Sequence, residues 1–151
     1  MALKRIQKEL LEFQTSCPDN ITANACKDTN LFEWNATITG PTNTPYCGGI
    51  FLLKIIIPPT YPFSPPDVKF VTKIFHPNVS QTGYICLDVL KKEAWSPALS
   101  VAKILLSISS LLADPNTTSP LDSEAAEMYM NNRNKYDNQV KEWVKKYASA
   151  N

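Results

Sequence analysis

The segment from His76 to Asp88 concentrates the residues whose types and spacing could carry out a reaction. It contains the chain's single histidine, His76, and the last of its four cysteines, Cys86, with Asn78 eight residues before that cysteine. A free thiol with a pKa of about 8.5 is a few per cent thiolate at pH 7, and thiolates attack activated acyl groups well. Asn78 offers an amide donor and Asp88 a carboxylate. This grouping makes Cys86 a candidate nucleophile for activated acyl groups, and a buried apolar filler is the plain alternative for a single cysteine.

Other uses of these cysteines are weaker interpretations. There is no CxxC pair, and with one histidine a zinc site would need widely scattered ligands, so we predict no metal. The N-terminal residues have no apolar run typical of a secretory signal, so we expect free thiols, and Cys17, Cys26 and Cys47 as buried apolar fillers. A Cys–His hydrolase pairing Cys86 with His76 stays open, although it would need a third, orienting residue.

Helices are predicted at both ends of the chain. Apolar residues recur at helical spacing over residues 2–15, and charged residues fill the other faces: Lys4, Arg5, Lys8, Glu9 and Glu12. After the proline-rich middle, Ser96-Pro97 suits a helix start, and an apolar stripe from Val101 to Leu112 must be buried. Two further helices are predicted, one near Asp122 and one over about 133–148.

Between the helices lie segments with strand character, separated by turn residues. The predicted strands are Ile21–Cys26, Phe32–Thr39, Ile50–Ile57 and Val68–Val71. Their links are too short for parallel crossovers, so we expect an antiparallel meander. From Pro58 to Pro97 regular structure otherwise fades, which is typical of a functional surface in a compact domain. The class is therefore α+β.

Length and composition limit the possible functions. The 151 residues fit one domain, and 44% hydrophobic with 19% charged residues exclude a disordered chain. The net charge of +1 argues against a nucleic-acid partner, and the apolar stretches are too short to span a membrane. A location in the cytoplasm, with the nucleus as a second compartment, is the expectation.

Taken in order, the motifs resemble those of the ubiquitin-conjugating enzymes over residues 1–148. The opening residues, Met1–Leu10, are similar to the subclass that serves many RING and HECT ligases. The resemblance rests on Tyr61–Pro66, His76-Pro77-Asn78, Cys86-Leu87-Asp88, Trp95–Leu99 and Asp114-Pro115-Asn116. It implies a single catalytic domain over residues 1–151 with the family fold, which has an N-terminal helix, a four-stranded antiparallel sheet and C-terminal helices.

The resemblance also implies a mechanism. Cys86 would accept ubiquitin from an activating enzyme as a thioester and pass it to a substrate lysine or to a HECT ligase cysteine. No cofactor is expected, since the activating enzyme uses the ATP upstream. Asn78 would stabilise the oxyanion or brace a loop, His76 would be structural, and Asp88 would activate the lysine. Ser119 stands at a gate position where the subclass has Asp, and the loop over 91–94 is one residue longer than in that subclass.

The implied partners are ubiquitin, the activating enzyme, RING and HECT ligases and protein substrates. Leu106 would contact the tethered ubiquitin. The ligase-binding residues implied by the family are Lys4, Arg5, Lys8, Phe63, Pro97 and Ala98. Three alternatives stay open: a carrier of another ubiquitin-like modifier, the cysteine hydrolase, and a pure ubiquitin-binding module, which an intact Cys86 motif argues against.

Overall fold

The helices and strands follow the predicted order along the chain. The computed structural model describes residues 1–149. The helices are α1 (Ala2–Thr15), α2 (Val101–Ala113), α3 (Ser123–Asn131) and α4 (Arg133–Tyr147). The strands are β1 (Ile21–Lys27), β2 (Asn30–Thr39), β3 (Ile50–Ile56) and β4 (Asp67–Phe70), and a short 3-10 turn covers Asp88–Leu90.

The four strands form one antiparallel sheet in the order β1-β2-β3-β4, which confirms the predicted meander. Ala36 of β2 lies opposite Leu53 of β3, and Leu53 lies opposite Phe70 of β4. All three side chains are buried, because residues two apart in a strand share a face and opposed residues lie on the same side of the sheet. The pairing therefore places one apolar face toward the helices.

One core cluster joins the buried face of the sheet to α1, α2 and α4. The ring of Phe13 in α1 meets Trp34 of β2 edge to face, with 6.1 Å between ring centroids. The predicted stripe of α2 is buried except for Leu111, which is partly buried; its buried members are Val101, Ile104, Leu105, Ile108 and Leu112. Glu9 differs from the prediction: its side chain is buried under α1 instead of filling a solvated face.

The start of α2 also differs from the prediction. The N-cap is Ser100, whose side chain accepts a hydrogen bond from the Lys103 amide at 3.2 Å. Ser96 instead closes a single turn, in which its carbonyl accepts from the Leu99 amide. The helix begins later because the carbonyls of Pro97 and Leu99 accept hydrogen bonds from the Arg5 side chain of α1 and not from helical amides.

The prediction that three cysteines are buried fillers is wrong. Cys17 and Cys47 are exposed, and Cys26 is partly exposed. Cys17 lies in the loop after α1, and Cys47 lies in the loop before β3, where no sheet face covers them. Cys26 lies where the β1–β2 register shifts between Ala25 and Lys27, so the alternation of buried and exposed residues fails there.

Candidate active site

The chain from His76 to Cys86 folds back on itself in a closed turn. Val79 and Ile85 form an antiparallel bridge, and the Cys86 amide donates to the Asn78 carbonyl at 2.9 Å. The turn needs Gly83, whose φ is +90°, and a Cβ there would lie 2.0 Å from the Phe70 carbonyl oxygen. The glycine thus lets the chain return, and main-chain bonding fixes Cys86 opposite Asn78.

Cys86 is partly exposed, in a shallow groove of about 250 Å³. The residues that line this groove include Pro65, Pro66, Leu90 and Lys91. The thiol is open enough to meet a large acyl donor, whereas a buried filler would not be. This exposure, together with a rigid main-chain anchor, suits a nucleophile.

His76 is fully buried, and both of its ring nitrogens are engaged. The main-chain N–H of Asn78 donates to Nδ1 of His76 at 2.9 Å. Nε2 therefore carries the proton and donates to the Leu111 carbonyl at 2.8 Å. Burial lowers the pKa of His76 to about 4, since the charged ring would be desolvated. A general base for Cys86 needs a free nitrogen with a pKa near neutrality, so this geometry argues against the hydrolase.

Asn78 is fully buried, and its side chain binds the main chain of Asn116 twice. Nδ2 donates to the Asn116 carbonyl at 2.6 Å, and Oδ1 accepts from the Asn116 amide at 2.8 Å. Of the two roles predicted for Asn78, this geometry favours the brace, because the amide is committed to the loop after α2. Sequence reasoning did not anticipate Asn116 as the partner, since their separation is 38 residues.

The Asp88 carboxylate is exposed to solvent two residues after Cys86, and it is not among the residues that line the groove. Its side chain is 78% exposed and begins the short 3-10 turn that follows Cys86. Lys91 Nζ lies 3.3 Å from Asp88 Oδ1, and this hydrogen bond raises the pKa of Lys91. Both side chains of this ion pair are largely exposed, so the pair is screened by solvent and contributes little to stability.

The loop over 91–94 folds as a tight turn. The amides of Ala94 and Trp95 both donate to the Lys91 carbonyl, at 3.0 and 2.9 Å. Trp95 is then anchored by its indole nitrogen, which donates to the Pro62 carbonyl at 2.8 Å. Both ends of the loop are therefore fixed.

Ser119 lies in a loop that two clamps attach to the active-site turn. Asn116 binds Asn78 as described, and the amides of Leu121 and Asp122 donate to the Pro77 carbonyl at 2.8 and 3.1 Å. Ser119 itself is exposed between these clamps. The loop that carries Ser119, the residue predicted to stand at a gate position, is thus bound to the segment that carries Asn78.

The residues predicted to bind a ligase form an exposed surface beside α1, with one exception. Phe63 is 67% exposed, and Lys4, Lys8, Pro97 and Ala98 are also exposed. Arg5 is turned inward, where it binds the carbonyls of Pro97 and Leu99, so it is a clamp and not a free steering charge. Leu106, predicted to contact ubiquitin, is 43% exposed on α2.

A larger cavity, of about 390 Å³, lies between the active-site turn and α4. Thr82 and Trp143 are among its lining residues, but Cys86 is not. The thiol chemistry therefore belongs to the smaller groove. Among residues 1–149, no three cysteine, histidine or acidic side chains are grouped as a metal site, and no helix has the length and apolar character needed to cross a membrane.

Comparison with known proteins gives a consistent result. The family model described as ubiquitin-conjugating enzyme matches residues 5–144. A Plasmodium yoelii protein assigned to these enzymes is 50% identical in sequence, with a TM-score of 0.91 over 99% of this chain and 97% of that one. The E2 domain of a Toxoplasma gondii ubiquitin-conjugating enzyme is 45% identical, with a TM-score of 0.90 over 99% of this chain and 100% of that one. The match of the family model to residues 5–144 and the similarity in sequence and fold to these two proteins show that this chain belongs to the ubiquitin-conjugating enzyme family and is a transferase.

Proposed function

We propose that Cys86 carries ubiquitin as a thioester between an activating enzyme and an acceptor. The observation that supports this most directly is the partly exposed Cys86 thiol held by its own amide against Asn78. The thiolate attacks the carbonyl of ubiquitin's C-terminal glycine, and the cysteine thiolate of the activating enzyme leaves. One thioester replaces another, so no cofactor is needed at this step.

In the second step, the acyl group leaves Cys86 for a substrate lysine or a ligase cysteine. With lysine, the uncharged amine attacks, an isopeptide bond forms, the C–S bond breaks and Cys86 departs as thiolate. A lysine with a pKa of about 10.4 is almost wholly protonated at pH 7, so a group must help to remove its proton. In this proposal Asp88 accepts that proton: it is an exposed carboxylate two residues after Cys86, and it pairs with Lys91, which lines the groove.

Asn78 serves in this proposal as a brace. Its two bonds to Asn116 hold the loop after α2 against the active-site turn, and that loop carries Ser119. Serine cannot supply a carboxylate at the gate, so intrinsic transfer to lysine is slower than it would be with Asp. Phosphorylation of Ser119 would restore negative charge there.

The exposed surface around Phe63 docks the ligase. An exposed aromatic ring is a typical anchor for a partner, and Lys4 and Lys8 add positive charge that steers association. RING ligases are expected to bind there with the thioester intact, and HECT ligases to accept ubiquitin on their own cysteine. Leu106, exposed on α2, contacts the tethered ubiquitin.

The test is a charging assay with activating enzyme, ATP and ubiquitin, resolved on nonreducing and reducing gels. We expect an adduct one ubiquitin heavier that thiols remove. Cys86→Ala abolishes it, and Cys47→Ala, which deletes an exposed thiol elsewhere, forms it normally.

A folded parent protein that forms no adduct with ubiquitin contradicts the proposal. Charging with another ubiquitin-like modifier would then identify a different carrier, and binding without any adduct would identify a binding module.

A further inference from the structure

Among residues 1–149, Glu9 is the one acidic residue that is buried. Three hydrogen-bond donors converge on its carboxylate. The Val101 amide donates to Oε1 at 2.8 Å. Arg5 Nε, at 2.8 Å, and the Tyr61 hydroxyl both donate to Oε2. A buried carboxylate is stable only when such donors replace water. The side chain therefore joins α1, the start of α2 and the loop of Tyr61.

Arg5 extends this junction to the turn before α2. While its Nε binds Glu9, its Nη2 donates to the carbonyls of Pro97 and Leu99, at 3.0 and 2.7 Å. The guanidinium also lies 5.6 Å from the centroid of the Tyr61 ring. Glu9 thus holds the group that fixes the Pro97 carbonyl.

The same carboxylate reaches the loop that presents Phe63. Tyr61 lies two residues before Phe63, and its hydroxyl is bound by Glu9. The intervening Pro62 accepts the indole bond from Trp95, which fixes this loop to the segment before Pro97. The docking surface has two exposed parts, one at Phe63 and one at Pro97 and Ala98. Both are therefore connected to the buried Glu9 side chain, the first through Tyr61 and the second through Arg5.

We propose that Glu9 is a positioning residue for ligase binding: its carboxylate sets the position of the Phe63 loop relative to the Pro97–Ala98 turn, and hence the affinity for a RING ligase. The inference rests on the proposed function. Glu9 does not touch the ligase, the thioester or the acceptor. It acts through Arg5 and Tyr61, whose donors it holds.

Glutamine has nearly the same shape but cannot satisfy this site. A carboxylate offers two acceptor oxygens, whereas an amide offers one oxygen and a donor NH₂. If the amide nitrogen takes the Oε2 position, it faces Arg5 Nε–H. If it takes the Oε1 position, it faces the Val101 N–H. Glu9→Gln therefore breaks one link in either orientation while it fills the same space.

The experiment uses full-length protein charged with ubiquitin, and follows discharge onto free lysine as a purified RING domain that stimulates the parent protein is titrated. For Glu9→Gln we expect the half-saturating RING concentration to rise roughly tenfold. The plateau rate and the ligase-free rate are expected to stay within about twofold of the parent, since the groove at Cys86 is untouched. Glu12→Gln, the same change at an exposed site on α1, is the matched control.

A half-saturating concentration equal to that of Glu12→Gln overturns the inference, and so does an equal loss of ligase-free and stimulated discharge, which marks a general defect. If Glu9→Gln does not fold, as read by urea unfolding, Tyr61→Phe decides. It removes one donor to Oε2 and keeps the ring, so a raised concentration supports the inference and an unchanged one overturns it. Failure of the parent to charge, or indifference to Phe63→Ala, overturns the ligase-docking proposal and this inference together. If the parent charges and responds to Phe63→Ala as expected, but folded Glu9→Gln binds the RING domain as Glu12→Gln does, only the inference about Glu9 is overturned.

Discussion

Acidification should destabilise this protein through His76, and the structure gives the sign. The ring is fully buried, neutral and bonded at both nitrogens, and burial lowers its pKa to about 4. In the unfolded chain the ring has its ordinary pKa, near 6.5. Below that pH the unfolded state binds a proton that the folded state refuses, so stability is lost as the pH falls from 7 toward 4.

The magnitude follows from these two pKa values. Integrating the difference in bound protons from pH 7.5 to pH 5 gives a loss of about 2 kcal/mol in the free energy of unfolding. Urea unfolding monitored by tryptophan fluorescence measures it at each pH. His76→Gln removes the titration, so its loss over the same range should be smaller than that of the parent by this amount.

Subtracting the two proteins at each pH cancels the carboxylates, which titrate in both. Equal losses in the parent and in His76→Gln would refute the burial argument. A second result would refute the burial argument more strongly: a charging rate that depends on an ionisation near pH 6.5 in the parent and loses this pH dependence in His76→Gln. That result would mean that the ring is available to Cys86 as a base, as in the hydrolase alternative.

The remaining outcomes concern the brace, the gate and the docking surface. Asn78→Ala should lower the free energy of unfolding by roughly 1–3 kcal/mol and slow discharge, since two buried hydrogen bonds are lost. If discharge were instead about 100-fold slower while the unfolding curve stayed unchanged, Asn78 would be a direct oxyanion donor. Ser119→Asp should speed discharge onto free lysine by up to roughly tenfold, part of what a placed acid or base contributes, and an unchanged rate contradicts the gate. Phe63→Ala should leave Cys86 charging intact, because the ring is exposed, and weaken RING-stimulated discharge by roughly tenfold or more; undiminished stimulation by several RING domains contradicts that role.

The sheet and helices were predictable because their signals are local. Alternation in β2 and the apolar stripe of α2 each depend on residues a few positions apart, and the structure confirms both. The return of the chain at Gly83 also follows from local constraints, since a positive φ favours glycine. The motif that predicted Cys86 as the nucleophile lies within this local turn.

The errors in α1 and at the start of α2 came from contacts between residues far apart in the chain, whereas the errors at the three cysteines came from loops and a local register shift. Helical periodicity placed Arg5 and Glu9 on a solvated face, but the amide of Val101 and the carbonyls of Pro97 and Leu99 draw both side chains inward. The same contacts delay the start of α2. A spacing of four residues permits a helix ion pair between Arg5 and Glu9, but only the fold shows that Glu9 is buried and Arg5 partly buried in it.

The tight turn over 91–94 has a consequence for how relatives of this protein can diverge. One end follows the 3-10 turn after Cys86, and the other is fixed by the indole of Trp95. Residues added or replaced between these anchors bulge into solvent, at little entropic cost, without moving the thiol or the docking turn. Because Lys91 lines the Cys86 groove, substitutions in this loop can reshape the groove while the thiol and the turn at Pro97 and Ala98 keep their positions.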